Sequence, residues 1–188
     1  MFRGISSHVS GKLVLVLFAA ANAVYMVMLI YSIPKLMQYT GGLPLFDMSP
    51  LGYSYPDALA LLAALGEEGR SVYVSIQLVL DLFYPILFAL CYSALLQWLT
   101  IVGKLSNRLW SYLIVVPMLV CLFDYAENIG IWFMLTDYPD TSENLVTLSS
   151  LFTLIKSLLT VTYFTSLIMA LCVLAYGKLF RRSKRVVS

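Results

Sequence analysis

Four long apolar runs, separated by stretches of charged and turn-forming residues, organise this chain. The first, Leu13 to Ile33, is apolar for 21 residues, enough to cross a hydrocarbon core of roughly 30 Å at about 1.5 Å per residue. Pro34 ends it. Ala21-Asn-Ala23 has the form of a signal-peptide cleavage site, but the apolar run continues for ten residues past it, so the stretch reads as a span. Ala19 and Ala23 form a small-residue packing face. The second run is Ser71 to Leu99, with Pro85 inside it; the third is Ser111 to Leu135, with Pro117; the fourth runs from about Leu145 to Tyr176. Short polar turns, Gly103 to Trp110 and Asp137 to Glu143, join antiparallel neighbours. The pattern predicts an all-α fold: a four-helix transmembrane bundle in one membrane domain, with spans at about 13–33, 71–99, 111–135 and 145–176.

Residues 34–70 form the only substantial extramembrane segment in this reading. Gly41-Gly42-Leu-Pro44 and Ser49-Pro50-Leu-Gly52 are turn chemistry. Ser54 reads as an N-cap, with Pro56 and Asp57 in a first turn and Gly66 as C-cap. The helix they bound, 56–65, is too short to span, and its leucines place it at the membrane interface or as a cap on the bundle. Asp47, Glu67, Glu68 and Arg70 ring this loop. Asp47 and Arg70 are candidates for an outer lid over a cavity.

Composition narrows the class. The chain is 61% hydrophobic and 12% charged, against about half and a quarter in soluble domains, which marks an integral membrane protein. The net charge of +2 conceals a segregation. Arg3, Lys12, Lys104, Arg108, Lys178, Arg181, Arg182, Lys184 and Arg185 lie on one side of the four-span arrangement, and only Lys35 and Arg70 on the other. By the positive-inside rule both termini are cytoplasmic in a multi-pass protein of the cell membrane, and the long loop is outside. No nucleic-acid partner is implied; the bilayer is. Cys91, Cys121 and Cys172 are isolated, and His8 is the single histidine and precedes the first span. Redox, metal and Ser-His-Asp chemistry therefore lack residues, and no cofactor is expected.

The polar positions inside the spans carry the functional signal. Asp124, Glu127 and Asn128 stand at i, i+3 and i+4, on one face of a helix. Gln77, Asp81 and Tyr84 share a face of the second span, and Thr153, Lys156, Thr160 and Tyr163 form a stripe on the fourth. Asp81, Asp124 and Lys156 fall at similar depth near mid-span, with Asn22 comparable on the first. An ionised side chain there costs about 2.5–3.5 kcal/mol on insertion scales. One lysine neutralises one of the three acids. The remainder calls for protonation, for a bound cation, or for water. The expectation is a midplane pocket that binds a small amphiphilic or cationic ligand or relays protons. Asp81, Asp124 and Glu127 supply negative charge, Lys156 holds one acid ionised, Asn22, Gln77 and Asn128 orient the ligand by hydrogen bonds, and Tyr84 adds a hydroxyl or ring face. An intramembrane enzyme using carboxylate acid–base chemistry on a lipid is the alternative. A subunit of a membrane assembly is a third, and a homo-oligomer is compatible with so few spans.

Phe46-Asp47-Met-Ser-Pro50-Leu-Gly52-Tyr53-Ser54, Leu65-Gly66-Glu-Glu-Gly69-Arg70-Ser-Val-Tyr73, Asp81-Leu-Phe-Tyr84-Pro85 and Asp124-Tyr-Ala-Glu127-Asn128 together give the chain a resemblance to a widespread family of small four-span integral membrane proteins. The resemblance covers most of residues 46–130, implies four helices, and assigns no activity. A weaker one is to the sterol-isomerase and sigma-2 receptor group, small bundles with acids facing a lipid-sized cavity. It would make Asp81 and Glu127 the corresponding acids. The histidine of the isomerases has no counterpart in these spans.

Overall fold

The computed structural model describes residues 9–105 and 107–186, with side chains as far as Gly177. His8, Arg3 and the side chains of the basic tail, Lys178 to Arg185, lie outside the described residues. Those described form an all-α bundle. Four helical runs, Gly11–Met37, Tyr55–Gly103, Arg108–Asp137 and Glu143–Gly177, are long and apolar enough to cross a membrane. The chain is a multi-pass helical membrane protein.

The first run begins with α1, Gly11–Val27, whose N-cap Ser10 accepts a hydrogen bond from the Leu13 amide. It does not end at Pro34, where the sequence pattern stops. A π-turn, Met28–Ser32, is followed by α2, Ile33–Met37. Pro34 follows the π-turn inside this continuous run, so the amide it lacks leaves a carbonyl of the preceding turn without its helical donor.

The second run starts as α3, Tyr55–Val72. Ser54 caps it reciprocally with Asp57, and Pro56 follows in the first turn. The helix changes direction at one residue, Gly66 (φ 61°, ψ −173°), a left-handed conformation that glycine alone adopts freely. Residues 67–72 are helical again and already run toward the second span. A π-turn, Tyr73–Gln77, leads into α4, Leu78–Gly103.

The third run is α5, Arg108–Leu113, and α6, Val116–Asp137, with Pro117 opening α6. The Ser93 hydroxyl donates to the Ile114 carbonyl at the join, 2.8 Å away. Pro85 removes the amide that would bond the Asp81 carbonyl in α4. One residue further, the Tyr125 hydroxyl of α6 donates to the Leu82 carbonyl at 2.6 Å, pinning α6 to the proline-disturbed turn. The fourth run is α7, Glu143–Val186.

α6 lies between α4 and α7, and α4 packs on α1 and also meets α7. The α6–α7 crossing is close because Gly130 faces Ser149. A Cβ on Gly130 would lie 2.7 Å from both Ser149 Cβ and Oγ. Small residues let membrane helices approach where no hydrophobic force drives them together. Two apolar cores result. One, at the end bearing the long loop (the loop end), includes Leu36, Phe46, Leu62, Tyr73, Ile131 and Met134. α3 caps it with Ala58, Leu61, Leu62 and Leu65. The other, at the end of the termini, is built on Leu96, Leu99, Tyr163, Leu167 and Ala170. A polar layer separates them. Outside, Leu15, Val16, Leu122, Leu158 and Val161 are all more than 60% exposed, an apolar surface suited to lipid.

Candidate functional site

The polar layer has two halves. In the first, on α6 and α7, the close crossing at Gly130 brings Glu127 and Asp124 to the helix that carries Lys156. The Lys156 ammonium ion pairs with Asp124 Oδ1 at 3.3 Å and with Glu127 Oε2. The Thr153 hydroxyl donates to Glu127 Oε1 at 2.7 Å, and Ser149 to the Glu127 backbone carbonyl at 3.4 Å. Glu127 has no exposed surface; Asp124 is 9% exposed. The Asn128 amide reaches Asp124 Oδ1 at 3.4 Å. Asn128 Oδ1 is buried without a hydrogen-bond partner among the described residues.

In the second half, on the first run and α4, the two π-turns face one another. Ser32 and Gln77, the last residue of each, are joined by a 2.6 Å hydrogen bond from the Ser32 hydroxyl to Gln77 Oε1. Gln77 Nε2 donates to Asp81 Oδ2 at 3.0 Å. Asp81 is 4% exposed, and among the described residues no cation lies within ion-pair distance of it. The charges of Asp124 and Lys156 nonetheless act on it. π-turns mark functional positions in many helices. Here both end on groups of a buried chain leading to a carboxylate.

Asp47 does more than ring the loop. Its segment, a 3-10 turn at Phe46–Met48, is tucked against the bundle, and the Tyr73 hydroxyl donates to Asp47 Oδ2 at 2.6 Å. Its charge acts on Asp81, Asp124, Glu127 and Lys156. Of the four acids, only Asp124 and Glu127 reach the Lys156 ammonium directly; Asp81 and Asp47 stand beyond ion-pair distance. Tyr53, from the same segment, donates through its hydroxyl to Ser149 Oγ at 2.8 Å. Burial pushes that hydroxyl above the usual tyrosine range, which keeps it a neutral donor.

Three candidates lie elsewhere. Arg70 meets no acid of the site. Its guanidinium donates to the Leu62 carbonyl at 3.1 Å and stands 4.6 Å from the Tyr138 ring centroid, bracing the break at Gly66. Asn22 donates to the Phe18 carbonyl of its own helix at 2.8 Å. Tyr84 stacks on Tyr25 with centroids 5.5 Å apart. Asn22 and Tyr84 line a separate cavity of about 290 Å³ with Tyr25, Phe88, Tyr92 and Phe164. None of the acids lines it.

Ser32, Tyr73, Ser149 and Tyr53 belong to the polar layer but not to the set legible from sequence. Hydroxyls are common in spans, and their spacing did not distinguish these. Thr153 was legible as one turn from Lys156. Among the described residues no three histidine, cysteine or acidic side chains stand together so as to hold a metal ion.

These features define a multi-pass helical membrane protein whose interior holds more acid than base. The chain matches no protein-family model, no curated protein and no solved structure. The functional reading therefore rests on the polar layer itself.

Proposed function

We propose that this protein binds a small cationic or amphiphilic ligand, or relays protons, through the buried acids of its polar layer, with Asp81 as the receiving group. One observation carries the reading. Lys156 is already shared by Asp124 and Glu127, whereas Asp81, nearly as buried, has among the described residues only the Gln77 amide as its hydrogen-bond donor. A buried carboxylate with no counter-ion is costly when ionised, so a proton or a ligand cation is favoured there. The aromatic cavity supports the amphiphilic form. Tyr84 follows Asp81 by three residues on α4 and Thr160 follows Lys156 by four on α7, so an apolar body held by the rings would have a head group about one helical turn from the acids. The charge asymmetry of the sequence supports cytoplasmic termini and a cell-membrane location. An assembly subunit would be expected to leave acids facing lipid, whereas Asp81, Asp124 and Glu127 are all buried within this one chain.

The test is thermal protection of detergent-purified protein by a long-chain primary amine, between pH 5 and 9, in wild type and in Asp81→Asn. Protection in wild type, lost in a variant that remains folded, is the expected result. Neither protection nor pH dependence in wild type would overturn the reading.

A further inference from the structure

The segment between α2 and α3 differs from an ordinary extramembrane loop. From Leu43 to Tyr53 it carries Leu43, Leu45, Phe46, Met48, Leu51 and Tyr53, with Asp47 as its single charge. Leu45 and Phe46 are buried in the loop-end core. Further along, the chain lies against α7. The Tyr53 amide donates to Ser150 Oγ at 2.9 Å, and a Cβ on Gly52 would stand 2.6 Å from that oxygen and 3.3 Å from Leu154 Cγ. Ser150 and Leu154 are seven and eleven residues beyond Glu143, the first residue of α7, so they lie about 10 and 16 Å along its axis. Non-helical backbone thus descends beside α7 to within one or two turns of Lys156.

Irregular backbone at such depth is tolerated only when its polar groups are satisfied inside the protein. Several of this segment's polar groups meet that condition. Met48, Ser49 and Gly52 donate their amides to the carbonyls of Leu45, Phe46 and Ser49 at 2.8–3.1 Å. The Ser49 hydroxyl returns to the Leu45 carbonyl at 3.0 Å. Pro44 and Pro50 have no amide hydrogen to satisfy. The one charge, Asp47, receives the Tyr73 hydroxyl. Meanwhile the opposite face is apolar and uncovered: Leu51 is 88% exposed and Met48 46%. Gly52, next to Leu51, abuts Leu154 of α7, a helix whose surface is also apolar and exposed at Leu151 and Leu158. In water, so exposed a leucine beside such a surface would be unfavourable.

We propose that residues 43–53 form a re-entrant segment embedded in the bilayer leaflet at the loop end. Leu51 and Met48 contact acyl chains, and Asp47 and Tyr53 turn inward to the polar layer. The segment is part of the membrane domain, and its partner on the outer face is lipid.

A nitroxide scan of the full chain in phosphatidylcholine vesicles tests this. Labels are placed at Leu51→Cys and, separately, Met48→Cys, with Cys121→Ala and Cys172→Ala as background because Cys91 is fully buried. Labels at Leu158→Cys on the apolar face of α7 and at Glu67→Cys on the exposed side of α3 give the two references. The expected result is preferential collision with oxygen over a water-soluble nickel chelate at both test sites, as at position 158. Chelate access equal to that at position 67 would overturn the proposal. Protection from both reagents, lost on dilution of protein into excess lipid, would also overturn it, in favour of a second copy covering the segment.

Discussion

The two halves of the polar layer solve the same problem differently. On α6 and α7 the carboxylates of Asp124 and Glu127 converge on Lys156, and Thr153 satisfies a remaining oxygen. On the first run and α4, a neutral chain of hydroxyl and amide, Ser32 to Gln77, ends on Asp81 with no cation among the described residues within ion-pair distance. A buried ion pair is self-contained. Its desolvation cost is offset internally, and removing one member strands the other. A buried acid held by an amide alone is incomplete, and its charge state is open to whatever arrives. On the function proposed above, the α6–α7 half is structural and the Asp81 half responsive.

The largest expected effect breaks the first half. Lys156→Met leaves two buried carboxylates without their cation and should lower stability by about 3–5 kcal/mol at neutral pH. The loss should shrink as pH falls, because a neutral carboxyl does not need the cation. Melting curves in detergent from pH 5 to 9 read this directly, and curves matching wild type would mean that water already solvates the acids. Next, Gly130→Ile inserts a branched side chain where even a Cβ would lie 2.7 Å from Ser149. It should cost about 1–3 kcal/mol by forcing α6 and α7 apart. Because it also separates Glu127 from Thr153 and Lys156, its cost should fail to add to that of Lys156→Met in a double mutant.

Smaller effects belong to the second half. Ser32→Ala removes the donor to a fully buried Gln77 oxygen and should cost about 1–2 kcal/mol, seen as a lower melting midpoint at all pH values. Asp81→Asn should change stability least, by less than about 1 kcal/mol in either direction, because it replaces an uncompensated acid by a neutral isostere. A loss as large as that of Lys156→Met would show that Asp81 has a cation of its own within the protein, and the contrast between the halves would collapse.

The reading from sequence located Asp124, Glu127, Asn128 and Lys156 as neighbours because helical spacing and depth are local properties. Asp81 and Gln77 were legible as a pair for the same reason. Ser32 was not, because its role depends on two π-turns meeting across a helix interface, and a π-turn leaves no mark in hydrophobic periodicity. Asp47 read as a loop charge and a candidate outer lid, since nothing in a turn-rich segment tells how far it folds back along α7. Asn22 and Tyr84 shared the depth of the acids but line another cavity, which none of the acids lines. Pro34 marked a break that the π-turn and α2 absorb.

What the sequence by itself determined is the membrane class, the four helical runs, the capping of α3 by Ser54 and its break at Gly66, and the presence of more buried acid than base. These follow from run length, from backbone preferences and from the cost of charge in hydrocarbon, all of which act along the chain. What only the tertiary structure decided is which acids share Lys156, which acid has no cation within ion-pair distance, and that a loop rather than a helix brings a fourth carboxylate to the layer. Those are matters of which faces meet, and in a bilayer the meeting is governed by small-residue crossings such as Gly130 on Ser149 and by interhelical hydrogen bonds.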